Sequence, residues 1–250
     1  MDYQLVNILI LSFFGSIAGL IGGVVFLVKK DWARVLCRYT IPFAAGILLS
    51  VSLLHLIPEA AHDMGENAYL VVLLAFIGSF LFEQYFAHLH HHEEREHTMI
   101  KTAAPLVIFG DTIHNFIDGV AIAAAYMADP SFGVVVTLAT FLHETPHEIG
   151  DFGVLMSAGW SRRKTFMANL FSASATFPGA LFVYFYAQND HGKIGFLLAV
   201  SAGIFLFLGA SDFLPDIGKN QKDVKMWKKI SLLLTAVLLM YLLQLISPEH

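Results

Sequence analysis

Apolar runs of about 20 residues follow one another along almost the whole chain, with only short polar connections between them, and this leaves few folds open. A run of that length crosses a hydrocarbon core of roughly 30 Å as a helix. Eight such runs are present, at about 5–28, 41–58, 68–87, 103–127, 132–157, 165–187, 194–214 and 230–247. Backbone polar groups in lipid find no water, so the runs must be helices rather than open strands. The expected fold is all-α, a polytopic membrane protein of eight transmembrane helices forming a single domain over residues 1–250. Only 14% of residues are charged and 56% are hydrophobic, whereas a soluble domain carries roughly 25% charge. The first run has no basic residue before it and is too long for a signal-peptide core, so it reads as span 1. One cysteine, Cys37, excludes an internal disulfide and any multi-cysteine metal site. The basic residues sit in short blocks between apolar runs, which gives no surface suited to nucleic acid.

Those blocks fix an orientation. Lys29, Lys30, Arg34 and Arg38 lie between spans 1 and 2, and Arg95 and Lys101 between spans 3 and 4. Arg162, Arg163 and Lys164 lie between spans 5 and 6, and Lys219, Lys222, Lys225, Lys228 and Lys229 between spans 7 and 8. Fourteen of the fifteen basic residues therefore share one side, and only Lys193 falls on the other. The positive-inside rule places the fourteen in the cytosol and both termini outside it. The short termini and compact loops point to a bacterial inner (plasma) membrane.

The chain also repeats itself. Ala45-Gly46-Ile47 with His55-Leu56-Ile57-Pro58-Glu59 in span 2 matches Ala202-Gly203-Ile204 with Asp212-Phe213-Leu214-Pro215-Asp216 in span 7, at a constant offset of 157. The two spans run in opposite directions, so the repeat is inverted, with spans 1–3 and 6–8 arranged around spans 4 and 5. Inverted repeats with a site near the midplane are a transporter signature.

Ionisable side chains inside spans are costly and mark function. Span 4 carries Asp111, His114, Asn115 and Asp118, whose spacing puts all four on one helical face. Span 5 carries His143, Glu144, His147, Glu148 and Asp151 in a second stripe. Imidazole and carboxylate donors suit zinc and its neighbours. The absence of cysteine from the stripes argues against copper(I). Pro146 removes a backbone donor inside span 5, which kinks the helix and frees carbonyls near Phe141 and Leu142. The expected ligand type does not separate Zn²⁺ from Fe²⁺, Mn²⁺ or Cd²⁺.

These residues resemble the ZIP (Zrt-, Irt-like protein) family of divalent metal transporters. The resemblance rests on His114-Asn115-Phe116-Ile117-Asp118-Gly119 in span 4 and His143-Glu144-Thr145-Pro146-His147-Glu148 in span 5, with His55-Leu56-Ile57-Pro58-Glu59 and Asp212-Phe213-Leu214-Pro215-Asp216 in spans 2 and 7. It implies metal uptake toward the cytosol by a homodimer of eight-helix subunits moving in an elevator-like way. It also implies a mononuclear or binuclear site of His114, Asn115, Asp118, His143, Glu144 and His147. Some members have Glu where Asp118 stands, and some have an acid in span 6, where this chain offers only Ser172, Ser174 and Thr176.

Other residues are candidates for a second metal position or the path. Asp111, Glu148 and Asp151 extend the two stripes. His55 and Glu59, with His62, Asp63 and Glu66, cluster toward the expected outer mouth, and Asp212 and Asp216 fall at the expected exit. The His-rich connection 88–101 offers His88, His90, His91, His92 and His97 for contact with released metal, or is only a linker. His143-Glu144-x-x-His147 also matches the zinc-protease pattern, so an intramembrane metalloprotease is the enzyme alternative. The expectation is a transporter, not an enzyme, with no catalytic cofactor, and with the metal and the bilayer as its partners.

Overall fold

The computed structural model describes the backbone of residues 2–90, 96–187, 190–219 and 224–246, and the side chains among them except those of 33–34, 86–90, 96–103, 218–219 and 246. The His-rich connection, with His88, His90, His91, His92 and His97, thus lies outside the residues whose side chains are described. Every regular element of the described chain is a helix, as expected. Its helices are α1 (Tyr3–Gly15), α2 (Ile21–Val28), α3 (Lys30–Val51), α4 (Ile57–Met64), α5 (Asn67–His90), α6 (Glu96–Ala128), α7 (Pro130–Ser157), α8 (Arg162–Ala173), α9 (Thr176–Ala187), α10 (His191–Phe207), α11 (Leu214–Lys219) and α12 (Met226–Ile246).

Seven stretches are long and apolar enough to cross a bilayer: Tyr3–Val28, Lys30–Met64, Asn67–Tyr85, Ala104–Ala128, Arg162–Ala187, His191–Ile217 and Met226–Leu245. They coincide with seven of the expected spans. The remaining expected span is α7, a continuous helix of 28 residues that is not among those seven and that carries the second polar stripe. Protein surrounds it, with α1, α2, α3, α6 and α8 packed against it. Its start is written locally: the Asp129 carboxylate accepts from the backbone N–H of Phe132, and Pro130 fills the first helical position, where no donor is missed.

Four spans are interrupted, and the interruptions obey the offset of the sequence repeat. A 3₁₀ turn at Ile17–Leu20 separates α1 from α2, and Ser174 and Ala175 separate α8 from α9. The offset of 157 places Ser16 on Ala173, and the Ser16 hydroxyl donates to the Ala173 carbonyl at 3.2 Å. Likewise π-helical turns at Ser52–Leu56 and Leu208–Phe213 interrupt spans 2 and 7. Each comes just before a proline, Pro58 or Pro215, which lacks an N–H and cannot bond the carbonyl four residues back. Widening the preceding turn accommodates that loss.

The paired glycines of the repeat do equivalent work. A Cβ at Gly46 would press on the Leu233 carbonyl and the Ala236 Cβ of α12. A Cβ at Gly203 would press on the Val72 carbonyl and the Ala75 Cβ of α5. Only backbone-to-backbone approach fits either crossing. Direction is inverted as expected: Gly195 meets Ala60 and Asp63 whereas Gly209 meets Leu48 and Leu49, so α10 runs antiparallel to α3 and α4.

Packing sorts the spans into two bundles. One joins α1, α2, α6, α7, α8 and α9, and the other joins α3, α4, α5, α10, α11 and α12. They meet where α3 lies on α7 and α10 lies on α6. The chain's three tryptophans fall in or beside three of the basic connections. Each carries an ammonium over its ring: Lys29 on Trp32 at 4.2 Å, Lys164 on Trp160 at 3.7 Å and Lys228 on Trp227 at 5.7 Å. Such amphipathic pairs suit a membrane–water interface.

Candidate metal centre

The two polar stripes face each other where α6 crosses α7. Four side chains converge there: His114 and Asp118 of α6, and His143 and Glu144 of α7, each offering one donor atom within 4.8 Å of the others. Asp118, His143 and Glu144 are fully buried and His114 is 8% exposed. His143 Nε2 lies 3.3 Å from His114 Nε2, 3.5 Å from an Asp118 oxygen and 3.7 Å from a Glu144 oxygen. His114 Nε2 lies 2.9 Å from Glu144 and 3.8 Å from Asp118.

Those separations have a geometric meaning. A tetrahedral ion held about 2.1 Å from each donor sets neighbouring donors about 3.4 Å apart. The five separations scatter around that edge. Polar atoms on the cage also lack ordinary partners: both Asp118 oxygens and Glu144 Oε2 have no hydrogen-bond partner. Buried carboxylates without partners are costly in a low dielectric, and a cation relieves the cost.

His143 is oriented for this role. Its Nδ1 faces the Ala139 carbonyl at 3.0 Å, and a carbonyl only accepts, so Nδ1 carries the proton and Nε2 turns its lone pair to the cage. On its far side the ring meets Phe205 of α10, edge to face, at 5.5 Å between centroids.

A second cluster lies one turn further along. His147 Nδ1 is 3.6 Å from Asp111 and 3.9 Å from Asp151, and Asp111, Glu144 and Glu148 also bring one oxygen each within 4.8 Å of one another. Glu148 is fully buried and neither of its oxygens has a hydrogen-bond partner. Like charges this close repel unless protons or a cation intervene. Glu144 belongs to both groups and joins them.

The six expected ligands therefore divide. Four form the cage, and His147 belongs to the second cluster. Asn115 is held by hydrogen bonds: its carbonyl accepts from the Ser16 hydroxyl and, at 3.4 Å, from Thr176, and its amide donates to the Asp111 carboxylate at 2.9 Å. Thus Asn115 aims Asp111. Thr176 and Ser172 supply from span 6 hydroxyls where some family members have an acid, Ser172 meeting Thr112 at 3.0 Å, while Ser174 turns back to the Leu170 carbonyl. The Phe141 carbonyl, expected to be freed by Pro146, instead accepts from the Thr145 hydroxyl at 2.9 Å. Gly119 lets α6 approach the Thr176 carbonyl of α9, and Gly179 admits the Phe116 carbonyl in return.

A cavity of about 630 Å³ leads away from the second cluster between the two bundles. Asp111, His114, His147 and Asp151 line one side, and Asp212 and Glu83 the other. Sequence reading missed Glu83, although a lone carboxylate near the end of span 3 is itself a signal. Asp216 lies on α11 and does not line the cavity. His55 parts from the residues expected beside it. It is buried and stacks on Phe132 at 6.3 Å, while Glu59, His62 and Asp63 form their own group. The π turn that carries His55 directs it inward, a rotation that sequence spacing does not reveal.

The protease pattern needs both histidines on one ion with a free glutamate beside it. Here His143 and His147 enter different donor sets and Glu144 is part of the cage.

The family model described as ZIP Zinc transporter matches residues 2–102 and 88–244. The chain belongs to the ZIP zinc transporter family. Among curated relatives of this ZIP chain, the zebrafish (Danio rerio) protein named Zinc transporter ZIP10 is 39% identical over 125 residues, covering 50% of the chain and 15% of that protein. The Caenorhabditis elegans Zinc transporter zipt-7.2 is 33% identical over 148 residues, covering 58% and 32%. The Drosophila melanogaster Zinc transporter foi is 35% identical over 125 residues, covering 50% and 18%. The ZIP chain thus spans less than a third of the length of each of these relatives.

Proposed function

We propose that this chain carries a divalent transition metal, zinc first, across a membrane toward the cytosol. The observation that carries the reading is the buried cage of His114, Asp118, His143 and Glu144, whose separations match the edges of a tetrahedral ion site and which continues into a largely apolar cavity marked by the carboxylates of Asp111, Asp151, Asp212 and Glu83. The relatives' names as zinc transporters point the same way.

The donor set holds the ion without a cysteine, which favours reversible binding. Release runs from the cage through Glu144 to the second position at Asp111, His147, Glu148 and Asp151, then past Asp212 and Glu83 along the cavity. The cage-bearing bundle slides against the other, whose buried face toward His143 is apolar, in alternating access of elevator type. The cavity faces the side of the basic connections, so the conformation is open to the cytosol by the positive-inside rule. A homodimer, a bacterial inner membrane and termini outside the cytosol belong to the same proposal. Fe²⁺, Mn²⁺ and Cd²⁺ fit the donors too, and metal competition ranks them.

The test is the full chain in liposomes with a metal-sensitive dye inside. Zinc-dependent signal that is lost in His143→Ala and Asp118→Ala supports transport. Zinc bound with no flux overturns it. Cleavage of a membrane peptide, lost in Glu144→Gln, supports the protease instead.

A further inference from the structure

A second group of zinc-type donors lies away from the polar stripes, at the junction of α4 with the start of α10. The Asp63 carboxylate sits between two imidazoles: His62 Nδ1 is 3.5 Å and His191 Nδ1 is 3.6 Å from the same oxygen. Both separations exceed a hydrogen bond and match the edge of about 3.4 Å expected between neighbouring ligands of a tetrahedral ion. Glu59, one turn before on α4, brings a carboxylate oxygen within 4.8 Å of the His62 and Asp63 donors.

The carboxylate is built in rather than loose. The Asp63 side chain is only 4% exposed, and its Oδ2 has no hydrogen-bond partner. Gly195 creates this burial, because a Cβ there would collide with the Asp63 Cβ, so the two helices touch at this point. The imidazoles are 71% and 73% exposed and free to swing onto an ion. Asp190 caps α10 through the Lys193 N–H and pairs with the Lys193 ammonium at 3.3 Å, which holds the first turn that presents His191 and keeps that ammonium occupied.

We propose that Asp63, His62 and His191, with Glu59, form a surface site for a divalent cation of the zinc class, distinct from the membrane cage. An ion there ties the end of α4 to the first turn of α10, which brings together two remote parts of the sequence within one bundle. It lies on the side of the single basic residue, Lys193, opposite the side that gathers the other basic residues.

Carbethoxylation of histidine by diethyl pyrocarbonate, read by mass spectrometry on the purified full chain with and without Zn²⁺, tests this. His62 and His191 are expected to react in the zinc-free protein and to be protected together as Zn²⁺ is added. In Asp63→Asn the zinc concentration giving half-protection rises by about tenfold or more. In His191→Ala, a change at an exposed side chain, protection of His62 is lost. Protection must persist in His143→Ala, which separates this site from the cage. Equal reaction of both histidines with and without zinc overturns the proposal, as does protection of His62 that survives His191→Ala.

Discussion

The two bundles bury different things. The bundle of α1, α2 and α6–α9 buries Asp111, His114, Asn115, Asp118, His143, Glu144 and Glu148 close together. Among the described residues, the bundle of α3–α5 and α10–α12 buries mainly alanine, leucine, isoleucine and phenylalanine, with His55, Lys229 and the Asp63 carboxylate as scattered ionisable groups. Lys229 answers a local need, donating to the Ile217 carbonyl at 2.6 Å where α11 runs out. A buried charge survives if it is paired or coordinates a cation. One bundle therefore gathers the buried donors, and under the proposed function the other is the wall against which they move.

Four experiments break or sharpen that contrast. The largest effect belongs to the cage. Asp118→Ala or His143→Ala should lower zinc flux by about 100-fold or more, the upper end of what lost metal-site partners cost, whereas Phe205→Ala across the interface should leave zinc binding intact. A comparable drop after Phe205→Ala in zinc stoichiometry, measured by elemental analysis, would erase the distinction between cage and wall. Next comes relative motion. A short bismaleimide bridge between His55→Cys and Phe132→Cys, one residue in each bundle, should stop the flux that the unbridged double variant retains. The same bridge between His62→Cys and His191→Cys, both in the wall, should leave flux unchanged. If both bridges act alike in liposomes, the bundles do not slide.

A smaller effect is expected behind the cage. Thr176→Val removes one donor from Asn115, and with it the aim of Asp111. Zinc affinity should weaken by about tenfold with the site still formed, and Thr176→Ser should restore it, as read by isothermal titration. The smallest effect tests the repeat. Gly46→Leu and Gly203→Leu each force a side chain into an equivalent crossing. Each should lower stability by about 1–3 kcal/mol, and by similar amounts, in thermal unfolding in detergent. Clearly unequal losses would mean that the two crossings are not equivalent.

Much of this was legible in the sequence because its periods are long. Apolar runs separated by basic blocks locate the spans, and the offset joining Gly46 to Gly203 foretells paired crossings. The face of α6 that carries Asp111, His114 and Asp118 follows from helical spacing alone. Partition between clusters did not follow. His143 and His147 lie one turn apart on α7, and only the crossing angle with α6 decides that they serve different positions. Asn115 looks like a ligand until Ser16 and Thr176 arrive from helices that sequence spacing cannot place beside it. Spacing groups His55 with Glu59 and His62, but the π turn shifts the helical register just there and His55 ends buried against Phe132. His191 carries no signal in the sequence, since the Asp63 it faces is reached only by folding α10 back along α4.

The tryptophans carry a consequence of their own. Trp32 and Trp227 begin helices of the wall bundle, while Trp160 follows α7 of the ion-bearing one. With three indoles in the whole chain, each beside a lysine, the protein holds a depth gauge with two marks on one bundle and one on the other. Lipids brominated at graded depths quench an indole according to its height, so the Trp160 reading against the other two tests whether the bundles shift when zinc is added, without any foreign label.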